Sequence, residues 1–180
     1  MNTFRIAGAF LAAALCAPLA ASAQTMNTPA KSALNKADQQ IVIGMARANM
    51  AEIEAGKLAL ANSQNADVKA FAQHMIDDHT RALGDVSTLA QNKGVTLPTG
   101  PDAKHKAMAA RLAKLKGETF DRAYMAQAGV NDHQQVHAAL KKDEARAKDA
   151  DVKALAAKLL PTVEQHLELA SGKAAAPVAK

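Results

Sequence analysis

The feature that most constrains this chain is a set of four long helical patterns, arranged as two pairs whose members are separated by only a few residues. Apolar residues recur every three to four positions over residues 37–62, 66–92, 118–148 and 150–170, which is the period of an amphipathic α-helix. Such short connections force each pair of helices into an antiparallel hairpin. The sequence therefore predicts an all-α protein built from two helical hairpins.

The connection between the two hairpins is much longer than the turns within them. Pro98, Gly100 and Pro101 interrupt the chain after the second pattern, and residues 102–116 predict a short basic helix. Two tight hairpins around one long crossover are the connectivity of ferritin-like bundles. We therefore expect a ferritin-like four-helix bundle over residues 37–170.

The first 23 residues have the order of a secretory signal peptide. Arg5 is followed by an apolar run over residues 6–20 and by Ala21, Ser22 and Ala23. This run is shorter than the roughly 20 residues of a permanent membrane span, and no later stretch is apolar enough to span. We expect an exported mature chain without a transmembrane span, located in the periplasm or associated with the outer membrane.

The segments on either side of the predicted bundle have no apolar period. Residues 24–36 predict a flexible linker, and residues 171–180 predict a disordered tail. The chain has one cysteine, Cys16, which lies inside the predicted signal peptide. The stability of the mature protein must therefore come from burial of apolar surface and not from disulfides.

The positive charge of the chain is small and scattered. The formal net charge is +5, and it falls to +4 (5 − 1) once Arg5 is removed. Without a dense basic cluster interleaved with aromatic residues, nucleic acid is not an expected partner. The short helix has its own basic face, which we interpret as solvated, with contact to an anionic envelope surface as the alternative. Its basic residues are Lys104, Lys106, Arg111, Lys114 and Lys116.

Each of the four predicted helices has an ionisable residue where its apolar stripe faces the core. Glu52 lies on the first stripe, His79 on the second and His166 on the fourth. On the third helix, His133 and His137 are four residues apart on one face. That spacing lets two imidazoles bind one metal ion from adjacent turns.

These residues also lie at a similar height along the bundle. At 1.5 Å per residue, Glu52 and His79 each lie roughly 15 to 20 Å from the first turn, and His133 and His166 each lie roughly 20 to 25 Å from the second. In helices about 40 Å long, all four are near the middle. The sequence therefore predicts that one carboxylate and three imidazoles meet inside the bundle.

A site with mainly nitrogen ligands suits one zinc, copper or iron ion. The candidate ligands are Glu52, His79, His133, His137 and His166, whereas His74 and His105 are expected at the surface. A di-iron site is not expected, because bundles build it from Glu-x-x-His motifs. The residues three positions before the core histidines are apolar: Ile76, Val130 and Val163. The alternative is a metal-free cluster in which a protonated histidine neutralises Glu52.

The usual catalytic signatures are missing from the sequence. The mature chain has no thiol, no glycine-rich phosphate loop and no serine-centred elbow. The leading hypothesis is an exported, non-enzymatic bundle that holds one transition-metal ion for storage, sensing or stress protection. The main alternative is a structural or interaction module of the cell envelope, and an oxidase acting at the metal comes third.

Several motifs in order along the chain resemble the exported bacterial domain-of-unknown-function family 4142. They are Ala51-Glu52-Ile53-Glu54-Ala55-Gly56, Lys69-Ala70-Phe71-Ala72, Asp77-Asp78-His79, Phe120-Asp121-Arg122-Ala123-Tyr124, His133, and Leu160-Pro161 followed by His166. Members are often labelled predicted outer membrane proteins and are grouped with ferritin-like bundles. The resemblance implies that fold and an envelope location, but no established activity. Glu52, His79, His133 and His166 match family-like positions, and His137 is a less typical addition.

Overall fold

A computed structural model of the protein describes residues 33–175, and the side chains of residues 33–172. The predicted signal peptide, most of the predicted linker and residues 176–180 lie outside the described part. All regular structure within it is helical, which confirms the all-α prediction. The elements are α1 (Lys36–Asn62), α2 (Ala66–Lys93), α3 (Ala103–Leu112), α4 (Gly117–Tyr124), a π-helical segment (Met125–Asp132), α5 (His133–Arg146) and α6 (Ala150–Ala175).

The helices pack in the order that the sequence predicts. α1 lies against α2, α5 lies against α6, and α6 also contacts α2 and the π-helical segment. The short helix α3 packs on α1 and α4 within the long crossover. Two hairpins and one crossover thus form the expected four-helix bundle. None of the described helices has the length and apolar character needed to cross a membrane.

Polar side chains define where the long helices begin. The Asn35 side chain accepts a hydrogen bond from the backbone N–H of Asp38, and Asn65 caps α2 in the same way. Asp149 accepts from the backbone N–H groups of Asp151 and Val152 at the start of α6. At the other end of α2, Gly94 adopts the left-handed conformation (φ 69°) that closes a helix.

Asp38 ties the beginning of α1 to the turn between α5 and α6. Its buried carboxylate accepts backbone N–H groups of Lys148 (3.1 Å to Oδ2) and Asp149 (2.8 Å). Lys93, at the end of α2, pairs with the Asp149 carboxylate at 2.8 Å. These contacts join three chain segments at one end of the bundle.

The third long pattern differs from its prediction. It runs from Gly117 to Arg146 and not over residues 118–148, and it contains the π-helical segment in its middle. In a π-helix each N–H bonds to the carbonyl five residues earlier instead of four, so this segment holds more residues per turn than an α-helix. α6 also continues to Ala175, five residues past its predicted end at residue 170.

The core consists of two apolar clusters with a polar layer between them. One cluster contains Ile41, Val86 and Val152, and the other contains Phe71, Phe120 and Tyr124. Buried polar residues from four elements lie in between. They are Asn49, Glu52, His79, His133 and His166.

Candidate metal centre

Three histidines from three different helices converge in the polar layer. His79 belongs to α2, His133 begins α5 and His166 belongs to α6; their exposed fractions are 6%, 1% and 0%. The Nε2 atom of His133 lies 3.4 Å from Nε2 of His79 and 3.2 Å from Nδ1 of His166. One nitrogen from each ring lies within 4.8 Å of the other two. We call these three residues the inner site.

The orientation of the His79 ring is set by Asn49 on α1. The Asn49 amide nitrogen donates to the carbonyl oxygen of Met45 (2.8 Å), so its side-chain oxygen faces Nδ1 of His79 at 2.9 Å. An amide oxygen only accepts hydrogen bonds, and Nδ1 must therefore carry the hydrogen. The other nitrogen, Nε2, keeps its lone pair and points into the cluster.

Hydrogen bonds to oxygen atoms also fix the orientation of the His133 and His166 rings. Nδ1 of His133 donates to the backbone carbonyl of Ala128 in the π-helical segment (2.8 Å). Nε2 of His166 donates to the Asp78 carboxylate (2.8 Å). The lone pairs of Nε2 in His133 and Nδ1 in His166 thus face inward as well.

The inner site therefore presents three lone pairs to one point, with every outer N–H bonded to an oxygen. This is the arrangement in which histidines bind metals, because the outer hydrogen bond fixes both tautomer and ring orientation. Metal–nitrogen bonds of about 2.0 Å require ligand nitrogens about 3.3 Å apart in a tetrahedral site and about 3.5 Å apart in a trigonal one. Two of the three separations, 3.2 and 3.4 Å, fit these values, and the third is within 4.8 Å.

Burial keeps the three rings neutral. It is the largest cause of the low pKa of His133, about 4, and of the pKa of His79, which lies well below its usual value; neighbouring imidazoles contribute to both shifts. Burial also lowers the pKa of His166, and the hydrogen bond to Asp78 opposes that shift. In neutral rings oriented in this way, no N–H group points into the cluster. The three inward nitrogens therefore cannot form hydrogen bonds with one another.

Glu52 lies beside the inner site and not among its three inward nitrogens. Its Oε1 atom is 3.9 Å from Nδ1 of His133, the nitrogen on the outer side of that ring, and its buried Oε2 has no hydrogen-bond partner. Burial and the nearby Asp132 carboxylate raise the pKa of Glu52 well above its usual value. Glu52 thus lies in the polar layer beside the three nitrogens and not among them, and its role as a ligand stays a prediction.

The structure separates His137 from the inner site. Its Nε2 pairs with Glu164 at 2.8 Å, and a quarter of the side chain (25%) is exposed. His137 lies one α-helical turn beyond His133, and it pairs with Glu164 of α6 instead of entering the cluster. It is not in either group of residues whose geometry suits a metal ion.

Two further histidines differ in their surroundings. His74, which was expected at the surface, is 42% exposed, and its Nε2 lies 3.4 Å from Asp78. His105 is more buried than expected, with 14% of its side chain exposed, because it is held between Asp102 (2.8 Å) and Asp132 (3.9 Å). Asn49 and Asp78 each orient one ring of the inner site, and the helical pattern predicts neither contact.

A small cavity of about 30 Å³ adjoins the inner site. Glu52, His79 and His133 contribute to its wall, together with apolar residues such as Leu140 and Val163. A water molecule needs about 10 to 15 Å³ measured in this way, so the cavity holds one or two.

The family comparison decides where this chain belongs. The family described as "Domain of unknown function (DUF4142)" matches residues 23–172, which is most of the sequence. The chain is a DUF4142 protein. No curated protein matches its sequence.

Solved structures with the same fold as this DUF4142 protein share little of its sequence. A crystal structure of a DUF305 fragment from Deinococcus radiodurans has a TM-score of 0.70 and 17% identity, and the match covers 79% of this chain and 97% of that one. CopM in the Cu(I)-bound form has a TM-score of 0.62 and 16% identity, covering 76% and 94%. CopM in the Cu(II)-bound form has a TM-score of 0.63 and 18% identity, covering 76% and 95%. At these identities the likeness shows the fold alone.

Proposed function

We propose that this DUF4142 protein binds one transition-metal ion at the inner site. The observation that carries the proposal is the convergence of three imidazole lone pairs whose outer N–H groups are all bonded to oxygen. Three neutral nitrogens suit zinc, copper or iron. Without an ion, the same three nitrogens would be buried hydrogen-bond acceptors with no donor between them. Buried polar atoms without a partner are unfavourable.

Among these metals, copper is the first to test. Nitrogen ligands bind Cu²⁺ more tightly than the other divalent first-row ions. CopM, which shares the fold of this chain, is described in Cu(I)-bound and Cu(II)-bound forms. The low identity carries no ligand from CopM to this protein, so the choice of copper rests on ligand chemistry together with that precedent.

We infer a holding role for the ion, in storage, sensing or stress protection, in an exported protein of the periplasm or outer envelope. The ligands are almost fully buried and come from three helices, so the site suits retention of an ion. The sequence order of residues 1–23 supports export. The rival function is a structural module in which the polar layer only fixes how the helices pair.

Metal analysis of protein purified without a His tag separates the two functions. Titration with Cu²⁺ and with Zn²⁺ should give one ion per chain. The double variant His79→Ala, His166→Ala should lose that ion because it removes two of the three nitrogens. His137→Ala is the matched control, and it should keep wild-type stoichiometry because His137 pairs with Glu164 at the surface.

The proposal is wrong if the wild type takes up no stoichiometric metal and its melting temperature does not change when either ion is added. That result would favour the structural module. Binding that is lost in His137→Ala but kept in the double variant would place the ion elsewhere in the molecule.

A further inference from the structure

A second group of ligand atoms lies on the other side of the His166 ring. Asp78 Oδ2 is 2.8 Å from Nε2 of His166 and 3.4 Å from Nε2 of His74. One ligand atom from each of these three residues lies within 4.8 Å of the other two. We call His74, Asp78 and His166 the outer site.

The outer site opens to solvent, unlike the inner one. His74 is 42% exposed, and His74 and Asp78 line a surface pocket of about 470 Å³ between α2 and α6, whereas His166 is buried and does not line it. Arg81 pairs with the other oxygen of Asp78, and Lys158 pairs with Asp85 in the same pocket. Oδ2 of Asp78 is therefore the carboxylate oxygen that faces the rings of His74 and His166.

His166 joins the two sites, because its two nitrogens point in opposite directions. Nδ1 faces His133 in the inner site at 3.2 Å, and Nε2 faces Asp78 in the outer site. The ring is itself fully buried. The inner and outer sites thus share one residue, through opposite nitrogens of the same ring.

We propose that His74, Asp78 and His166 form a solvent-facing metal site that captures the ion and delivers it to the inner site through His166. The delivery part rests on the proposed function, whereas capture at the outer site does not. Two nitrogens and a carboxylate oxygen are ligands that suit divalent copper or zinc.

The shared ring permits one ion at a time. A neutral imidazole has one lone pair, so His166 binds at Nε2 when Nδ1 holds the proton, and at Nδ1 when Nε2 holds it. During transfer the ion leaves Nε2, the ring releases the Nδ1 proton to water, and Nε2 takes a proton from water. Neither protons nor electrons are gained or lost overall, and Asp78 then accepts the new N–H as seen in the structure.

The outer site can be tested alone by removing the inner one. In the double variant His79→Ala, His133→Ala, only His166 remains of the inner ligands. This variant should bind one Cu²⁺ with an electron paramagnetic resonance spectrum showing nitrogen coordination. Adding His74→Ala should weaken that binding about tenfold or more. Adding Asp85→Asn instead is the control, and it should leave binding unchanged because Asp85 faces Lys158.

Delivery is tested by mixing the full chain with Cu²⁺ in a stopped-flow experiment and following absorbance. His74→Ala should slow loading by about tenfold, since association rates of related variants vary over one to three decades. It should leave the final stoichiometry at one ion. Asp85→Asn should load at the wild-type rate, which separates capture by His74 from a general loss of charge in the pocket.

The possible results separate the two proposals. Equal Cu²⁺ affinity with and without His74 in the inner-site variant overturns the outer site, and a wild-type loading rate in His74→Ala overturns delivery. A different result would be that the wild type binds one Cu²⁺ weakly, with binding that is lost in His74→Ala and kept in His133→Ala. That result supports the outer site and overturns the proposed function. If the inner-site variant does not fold, the loading rate of His74→Ala still decides, because that residue is exposed.

Discussion

Each imidazole of the inner site is held by a different kind of oxygen: an amide in Asn49, a backbone carbonyl in Ala128 and a carboxylate in Asp78. The carboxylate is the charged one of the three. It polarises the His166 ring most strongly and makes Nδ1 of that ring the most basic of the three inward nitrogens. Of the three inner histidines, His166, which joins the two sites, is thus also the one expected to bind a metal ion most strongly.

Glu52 is the residue whose substitution should stabilise the metal-free protein. Its folded pKa is raised by burial, so the folded state keeps a proton that the unfolded state loses above the ordinary pKa of 4.5. Folding stability from this group therefore falls as pH rises above that value. Glu52→Gln removes the cost, and at pH 7 it should raise the free energy of unfolding by about 1 kcal/mol or more.

Urea denaturation at pH 5 and pH 7 measures this effect. Glu54→Gln is the control, since Glu54 lies two residues away on the exposed side of α1. A Glu52→Gln protein that is less stable than the wild type at pH 7, or that gains no more there than at pH 5, would contradict the explanation.

The three inner histidines could be predicted because position in an α-helix fixes both the direction and the height of a side chain. Asn49 and Asp78 could not be found in the same way. They bind the far side of a ring on another helix, and a pattern read along one helix has no information about that contact. Glu52 was predicted as a ligand because its direction is correct, but direction does not decide which side of the His133 ring it approaches.

At the scale of elements, the π-helical segment is what brings His133 into place. Buried residues of this helix recur in pairs every four positions, from Phe120 and Asp121 to Asp132 and His133. Steps of four residues drift around an α-helix of 3.6 residues per turn, and the wider π-helical turn reduces that drift. His133 thus stays on the core face, where the Ala128 carbonyl lies 2.8 Å from its ring. π-helical turns are often found at functional sites.

Deleting one exposed residue of the π-helical segment should impair the metal site and preserve the helix. Gln127 is exposed, and its deletion lets the segment return to α-helical bonding. The contact between His133 and Ala128 would then be lost, and Cu²⁺ affinity should fall about 10- to 100-fold. Circular dichroism should still report a helical protein.

Gln127→Ala is the control for this deletion, because it changes the side chain without changing the residue count. It should bind Cu²⁺ as the wild type does. Full affinity in the deletion variant would show that the π-helical geometry is not required for binding.

The sequence pattern predicted the four long helices and their pairing, but it treated residues 118–148 as one regular helix. The pattern does change direction after Gly129, where Val130 and His133 take over the buried face. A change of this kind also results from a bend or a shifted partner helix. The π-helical segment packs against α6, and a pattern read along one helix has no information about that contact.

For the molecule as a whole, the polar layer makes stability sensitive to acid. The pKa of His133 is lowered to about 4 in the folded protein from 6.5, so below pH 6.5 the unfolded chain binds a proton that the folded one does not. This stability is fully present above pH 6.5 and is lost progressively as pH falls toward 4. The loss from His133 alone amounts to about 3 kcal/mol.

Thermal denaturation of metal-free protein between pH 7.5 and pH 4 should therefore show a steep decline that His133→Leu makes shallower. The slopes of melting temperature against pH are compared, because the variant also leaves the Ala128 carbonyl without its partner at every pH.

Bound metal should raise the melting temperature most at neutral pH and progressively less in acid, since protons compete for the same nitrogens. Parallel pH profiles for wild type and variant would contradict this account.

The rings of His79 and His133 are 54 positions apart along the chain, on opposite sides of the crossover. An ion shared between them closes a long loop and restricts the unfolded chain, as a covalent cross-link does. A chain with a single cysteine has no disulfide available within itself for that purpose. An ion bound at the inner site would take the place of a disulfide in this bundle, as a cross-link that a chelator would remove and the next ion would restore.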